Sequence, residues 1–201
     1  MAVTGMALVN SLGNSPREIL EASIALRSGI TTVPPSRWDH SLYYDPDPRA
    51  RGKTYCKVGA FQNITVSRKE LGIAPQDFRS MADSTRLTLW LAEEAIKQSG
   101  LLESGIPRER IGVLISQNSG EGAATITDLV FDVNYHDIIR SLREIIPTTP
   151  ELEKAIRERI QAGRLTVDDT TLLGRLNCAA GGFVCNRYGL RGPSYAVSAA
   201  C

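Results

Sequence analysis

The sequence predicts an α/β fold, because short apolar segments with strand character alternate with longer segments of helical periodicity. The clearest strand is the run Ile-Gly-Val-Leu-Ile-Ser at 111–116. The clearest helix covers about 77–99, where residues recur at helical spacing: Phe78, Met81, Thr85, Leu89, Ala92 and Ile96. Gly100 is a natural stop for that helix. The 201 residues suit one domain, or half of a duplicated one.

The remaining elements follow from local chemistry. Residues 3–9 are predicted to form a buried strand, and Ser15-Pro16 favours the start of a helix that ends at Gly29. Residues 30–57 mix prolines and glycines with aromatic and charged residues, which indicates a long, ordered surface excursion. A helix is predicted over 123–146, and a second, amphipathic one from Thr149-Pro150 to Gly163.

Composition excludes several classes of protein. Hydrophobic residues at 42% and charged residues at 22% are typical of a globular chain, and the net charge of +1 gives no general field for nucleic acid or membrane. No apolar run approaches the ~20 residues of a spanning helix, and no secretory signal opens the chain. The four cysteines lack C-x-x-C spacing, so we expect a reduced, cytoplasmic setting.

The most informative segment is the last one. A helix rich in small residues covers 177–188, a Gly-Leu-Arg-Gly-Pro turn occupies 189–193, and a short strand over 194–199 leads to Cys201. A cysteine at this place suits a nucleophile between a strand and a helix. If a helix began at the next residue, its positive end and free N–H groups would stabilise the thiolate.

These residues resemble the β-ketoacyl-acyl-carrier-protein synthases, condensing enzymes of fatty acid and polyketide synthesis. Three separated motifs carry the resemblance: the opening around 4–14, the strand around 109–115, and the Asn-x-Ala-Ala-Gly helix with its turn before Cys201. The resemblance implies a thiolase-like α/β fold with a mixed, mainly parallel sheet and helices on both faces. It also implies that residues 1–201 are the N-terminal half of a ketosynthase domain whose C-terminal half is not in this chain.

The resemblance further implies an activity. Cys201 would accept an acyl group, and its backbone N–H would help to bind the oxyanion, in a decarboxylative Claisen condensation with a malonyl thioester. The family's catalytic histidines and lysine lie beyond the nucleophile. The reaction requires no metal or redox cofactor. The implied partners are acyl carrier protein or coenzyme A thioesters, the C-terminal half, and a second copy in a homodimer that pairs near the strand 194–199, with no nucleic acid or membrane partner.

Other reactive residues are interpreted as structural. Cys178 and Cys185 lie two helical turns apart, which favours buried packing over a metal pair, and Cys56 beside Lys57 is weak evidence for a reactive thiol. His40 and His136 match no catalytic motif of the family, so we expect structural or solvated roles.

Two further patterns suggest binding. The basic residues of 49–57 could meet a carrier protein, but a solvated loop is the favoured interpretation. Gly120-Glu121-Gly122 imitates a dinucleotide fingerprint but lacks the third glycine.

Three alternative functions stay open. The chain could be a non-catalytic chain-length partner of a ketosynthase, although such partners typically lack the cysteine. It could be a thiolase or a coenzyme A-dependent starter synthase, which shares the fold and nucleophile; the Gly-Leu-Arg-Gly-Pro turn favours the carrier-protein branch. A dinucleotide-binding module is the third, testable by titration with NADH.

Overall fold

The computed structural model describes residues 2–116, 121–162, 176 and 178–197, with backbone alone for 121–129, 132 and 133. The described residues divide into two compact units. The first comprises 2–65 and 94–100, and the second comprises the described parts of 66–93 and 101–197.

The first helix of the first unit is α1, Pro16–Ile24. As predicted, Ser15 caps it: its side chain accepts a hydrogen bond from the Glu18 N–H, at 3.2 Å. The helix ends earlier than the predicted Gly29, because Leu26 adopts a positive φ of 53° that breaks the helical path.

The predicted strand at 3–9 is not formed. The segment has no regular secondary structure and pairs with no described strand. It lies instead along the C-terminal end of a helix, where the Met6 N–H donates to the Gln98 side chain. A Cβ at Gly5 would fall 2.3 Å from the Ala95 carbonyl oxygen, so this close approach requires glycine. Gly5, Ala7 and Val9 are half-buried while Met6 and Leu8 are exposed, so only one side of the segment is covered.

The excursion over 30–57 is ordered, as predicted. Strands β1, Ile30–Thr32, and β2, Val58–Ala60, pair antiparallel and close its base. The short helix α2, His40–Tyr43, lies between them and is capped by Asp39, whose carboxylate accepts from the Ser41 N–H. This bond and one from the Ser41 hydroxyl hold the pKa of Asp39 below its usual value.

The predicted helix over 77–99 is two helices in the structure. After α3, Arg68–Leu71, come α4, Pro75–Ser80, and α5, Asp83–Ser99. The helix is interrupted at Met81, whose backbone is extended. Its side chain turns into the core and is 2% exposed. Arg86 stabilises the break: its guanidinium donates two hydrogen bonds to the Phe78 carbonyl, which α4 leaves unpaired. The predicted stop is confirmed, since Gly100 follows α5 with a φ of 61°.

A helical hairpin follows strand β3, Val113–Ser116. It consists of α6, Glu121–Ile145, and α7, Pro150–Gln161, close to the predicted ranges, although Gly163 lies outside the described residues. Arg143 donates two hydrogen bonds to the Glu153 carboxylate, at 2.7 and 2.8 Å, and lowers the pKa of Glu153. The Tyr135 hydroxyl donates to the Glu153 backbone carbonyl. Glu153 therefore holds α7 against α6 through both its side chain and its backbone.

The last described elements are α8, Ala179–Tyr188, and β4, Ser194–Val197. Strand β4 pairs parallel with β3, with Val113 opposite Ser194 and Ser116 opposite Val197. The described strands form two separate two-stranded sheets, one antiparallel, β1–β2, and one parallel, β3–β4. Helix α8 packs on β3 and β4 and contributes to the core of the second unit, which contains Leu71, Met81, Leu89, Ile111, Val184 and Leu190.

Arg187 joins α8 to the other helices of this core. Its guanidinium contacts the Glu93 carboxylate at 2.7 Å and also donates to the Leu71 carbonyl. Its side chain is 25% exposed and that of Glu93 is 17% exposed. Because both groups are largely desolvated, loss of the Glu93 charge leaves the Arg187 guanidinium partly buried without this counterpart.

The pair β3–β4 is covered on one side only within the described residues. Val113 and Ile115 face Gly181 of α8. On the other side Leu114 is 69% exposed, Tyr195 64% and Val197 44%. The sequence predicted helices on both faces of the sheet. In the described part of the chain a helix covers one face of this strand pair. An apolar strip of this kind is a surface for further protein.

We expect the isolated 201-residue chain to be poorly soluble because of this strip. Replacing Leu114 and Tyr195 together by serine should raise its soluble yield several-fold and reduce binding of a hydrophobic dye. The matched control is a double serine substitution of Leu20 and Ile24, which are 60% and 74% exposed on α1. A monomeric, well-behaved unaltered chain, or an equal gain in the control, would contradict this prediction.

We also predict that Glu93→Gln destabilises the second unit by about 1–2 kcal/mol, because it removes the charge that Arg187 faces. The neighbouring Glu94→Gln is the control: Glu94 is 44% exposed and lies 3.5 Å from Lys97, so its loss should cost under about 0.5 kcal/mol. Urea unfolding of both variants at pH 7 measures the free energy difference. Equal stabilities would show that the Arg187 contact contributes nothing.

Candidate active site

The site is built on the path from α8 through the turn to β4. Helix α8 ends at Gly189, whose φ of 62° is the left-handed conformation that glycine adopts at low cost. The Leu190 N–H donates to the Cys185 carbonyl, which pairs one of the last carbonyls of the helix, and Leu190 enters the core at 7% exposure. The predicted Gly-Leu-Arg-Gly-Pro turn is thus a helix cap followed by an apolar anchor.

The turn is bonded to the residues that lead into β3. The Arg191 N–H donates to the Arg108 carbonyl at 3.0 Å, and the Gly192 N–H donates to the Ile111 carbonyl at 3.2 Å. The Val113 N–H donates to the Pro193 carbonyl at 2.9 Å. Pro193 has no N–H, so it suits a position where only its carbonyl is needed. These bonds set the register of β4 before the strand begins.

Two glycines permit the crossing of the backbones. A Cβ at Gly192 would lie 2.5 Å from the Ile111 carbonyl oxygen, and a Cβ at Gly112 would lie 2.7 Å from the Pro193 carbonyl oxygen. Both neighbours are backbone atoms, which cannot rotate away. Gly192 of the turn and Gly112, the residue before β3, are therefore both required by the same backbone contact.

The parallel pairing fixes where the chain goes next. Ser116 and Val197 are register partners, so β3 and β4 end at the same edge. In open α/β sheets the carboxyl ends of parallel strands are where reactive groups collect. Cys201 follows Val197 by four positions and lies outside the described residues, as does the segment 117–120 after β3.

Sequence reasoning missed the cluster of Glu93, Arg187 and Tyr188. Partial burial lowers the pKa of Arg187, but hydrogen bonds from its guanidinium to Tyr188 and Glu93 outweigh this effect and raise it overall. Burial raises the pKa of the Tyr188 phenol above its usual value. A signal was available: Glu93 lies four positions after the core residue Leu89, which places it near the buried side of α5.

The described cysteines differ from one another. Cys185 is half-buried and packs against the core, as predicted. Cys178 is exposed at the residue before α8, so the prediction of buried packing is wrong for it; the helix begins one residue later and turns it outward. Cys56 is exposed, and its thiol donates to the Val58 carbonyl at 3.4 Å. Within the described ranges, no cluster of His, Cys, Asp and Glu suits a metal ion.

The two histidines have ordinary surroundings. The His40 ring packs edge-on against Trp38, with centroids 4.8 Å apart, and its Nε2 atom is buried without a hydrogen-bond partner. His136 is exposed on α6, beside Tyr135.

Two of the four basic residues in 49–57 make contacts within the loop. The Lys53 ammonium donates to the Leu42 carbonyl, and Lys57 lies 4.8 Å from the centroid of the Tyr44 ring. Such contacts agree with the favoured interpretation of an ordered, solvated loop.

The fingerprint-like segment Gly120-Glu121-Gly122 is described in part. Glu121 and Gly122 begin α6, and Gly120 lies outside the described residues. As for membranes, none of the described helices combines the length and apolar character of a span.

Solved structures share the fold. The oxazolomycin ketosynthase domain of Streptomyces albus superposes with a TM-score of 0.65 at 18% identity, covering 98% of this chain and 28% of that one. A ketosynthase from module 6 of the bacillaene synthase of Bacillus subtilis gives 0.64 at 17% identity, covering 98% and 26%. At this identity the likeness establishes the fold, which is the thiolase-like fold of ketosynthases.

Sequence relatives are far longer than this chain. A phenolphthiocerol/phthiocerol polyketide synthase of Mycobacterium tuberculosis is 29% identical over 181 residues, which are 88% of this chain and 8% of that protein. Polyketide synthase GfsB of Streptomyces halstedii is 27% identical, over 100% of this chain and 3% of its own length. The chain thus spans less than a tenth of these relatives.

The family assignment rests on a match to the whole sequence. The sequence model described as "Beta-ketoacyl synthase, N-terminal domain" matches residues 1–201. It covers the α8–turn–β4 path and both motifs nearer the N-terminus that carry the resemblance. The chain belongs to the β-ketoacyl synthase family, in which it represents the N-terminal domain.

Proposed function

We propose that this chain is the N-terminal half of a condensing enzyme and that Cys201 is its acyl-accepting nucleophile. The observation that carries the proposal is the geometry of β4. This strand is aligned with β3 by the Gly-Leu-Arg-Gly-Pro turn, ends at the carboxyl edge of the pair, and leads to Cys201 within four residues. The family assignment supports the same role for this cysteine.

The first step is a thioester exchange. The Cys201 thiolate attacks the carbonyl carbon of an acyl thioester, a tetrahedral oxyanion forms, and the thiolate of the donor leaves. The backbone N–H of Cys201 is one donor to the oxyanion. A thiolate serves this step well because it attacks the acyl group readily and is later a good leaving group.

The second step is a decarboxylative Claisen condensation. A malonyl thioester loses carbon dioxide, and the electron pair of the broken carbon–carbon bond remains as an enolate. The enolate carbon attacks the acyl-Cys201 carbonyl, a new carbon–carbon bond forms, and the Cys201 thiolate leaves. By resemblance, histidines beyond this chain stabilise the enolate.

The proposed partners follow from this chemistry. The donors are acyl carrier protein or coenzyme A thioesters, and the named relatives favour a polyketide pathway over a fatty acid one. A second copy and the C-terminal half complete the enzyme: in the described residues β4 has an unpaired outer edge, and the strip of Leu114, Tyr195 and Val197 is uncovered. A nucleophilic thiol requires a reducing compartment, so we propose the cytoplasm.

The test is acylation of Cys201 in the intact protein. Incubation with acyl-carrier-protein and acyl-coenzyme A donors, followed by peptide mass spectrometry, should place the acyl group on Cys201. Cys201→Ala should abolish the adduct and lower condensation by at least about a thousandfold. Cys178→Ala, which removes another exposed thiol nearby in sequence, should keep full activity.

The outcomes separate the alternatives. An adduct on Cys201 with faster transfer from the carrier protein supports the proposed branch, and a preference for coenzyme A indicates a starter synthase or thiolase. If no donor acylates Cys201 in the folded intact protein, the proposal fails and a non-catalytic partner becomes the better assignment.

A further inference from the structure

We draw no further inference here: the strongest candidate, the outer stripe of helix α6 on which Val130, Ile138 and Ile145 are exposed, is an apolar helix face, and nothing in the described part of the structure shows what covers it.

Discussion

The backbone contact between the Gly-Leu-Arg-Gly-Pro turn and residues 108–113 is the constraint on which the rest of the second unit depends. Three hydrogen bonds join the two segments, and glycines at 112 and 192 let the chains cross without a side chain between them. The turn caps the C-terminal end of α8 and continues into β4. A single local crossing thereby determines the direction of the strand that leads to Cys201.

Helix α8 acts as the support of this crossing. Its inner side combines a buried glycine, a core valine and an arginine that reaches two other segments, so it contacts β4 closely while remaining bound to α3 and α5. The Arg187–Glu93 contact is partly desolvated: burial lowers the pKa of Arg187, although its hydrogen bonds to Tyr188 and Glu93 raise it overall, and burial raises the pKa of the Tyr188 phenol.

The sequence predicted best where structure depends on neighbours in the chain. Ser15 caps α1, Gly100 ends α5 and Gly189 ends α8, because each depends on backbone and side-chain chemistry within a few residues. Prediction failed where contacts beyond the nearest helical turn decide. The break at Met81 depends on Arg86 bonding back to Phe78, and residues 3–9 rest on a helix far along the sequence. For the candidate site, local motifs predicted Cys201 as the nucleophile, which stays a prediction. The spacing from Leu89 places Glu93 near the buried side of α5, but its pairing with Arg187 joins positions 94 residues apart and could not be predicted from local sequence.

The parallel pairing of β3 with β4 also has a consequence for synthesis on the ribosome. Val113 pairs with Ser194, so β3 must wait for 81 further residues before its neighbour exists. At the usual pace of translation this interval lasts about 4–16 s. Throughout it, Leu114 and the unpaired edge of β3 are available to other nascent chains, and pairs so distant in sequence form slowly even after release. Strand β4, which leads to Cys201, therefore pairs with β3 only after this interval, during which chaperones can protect β3.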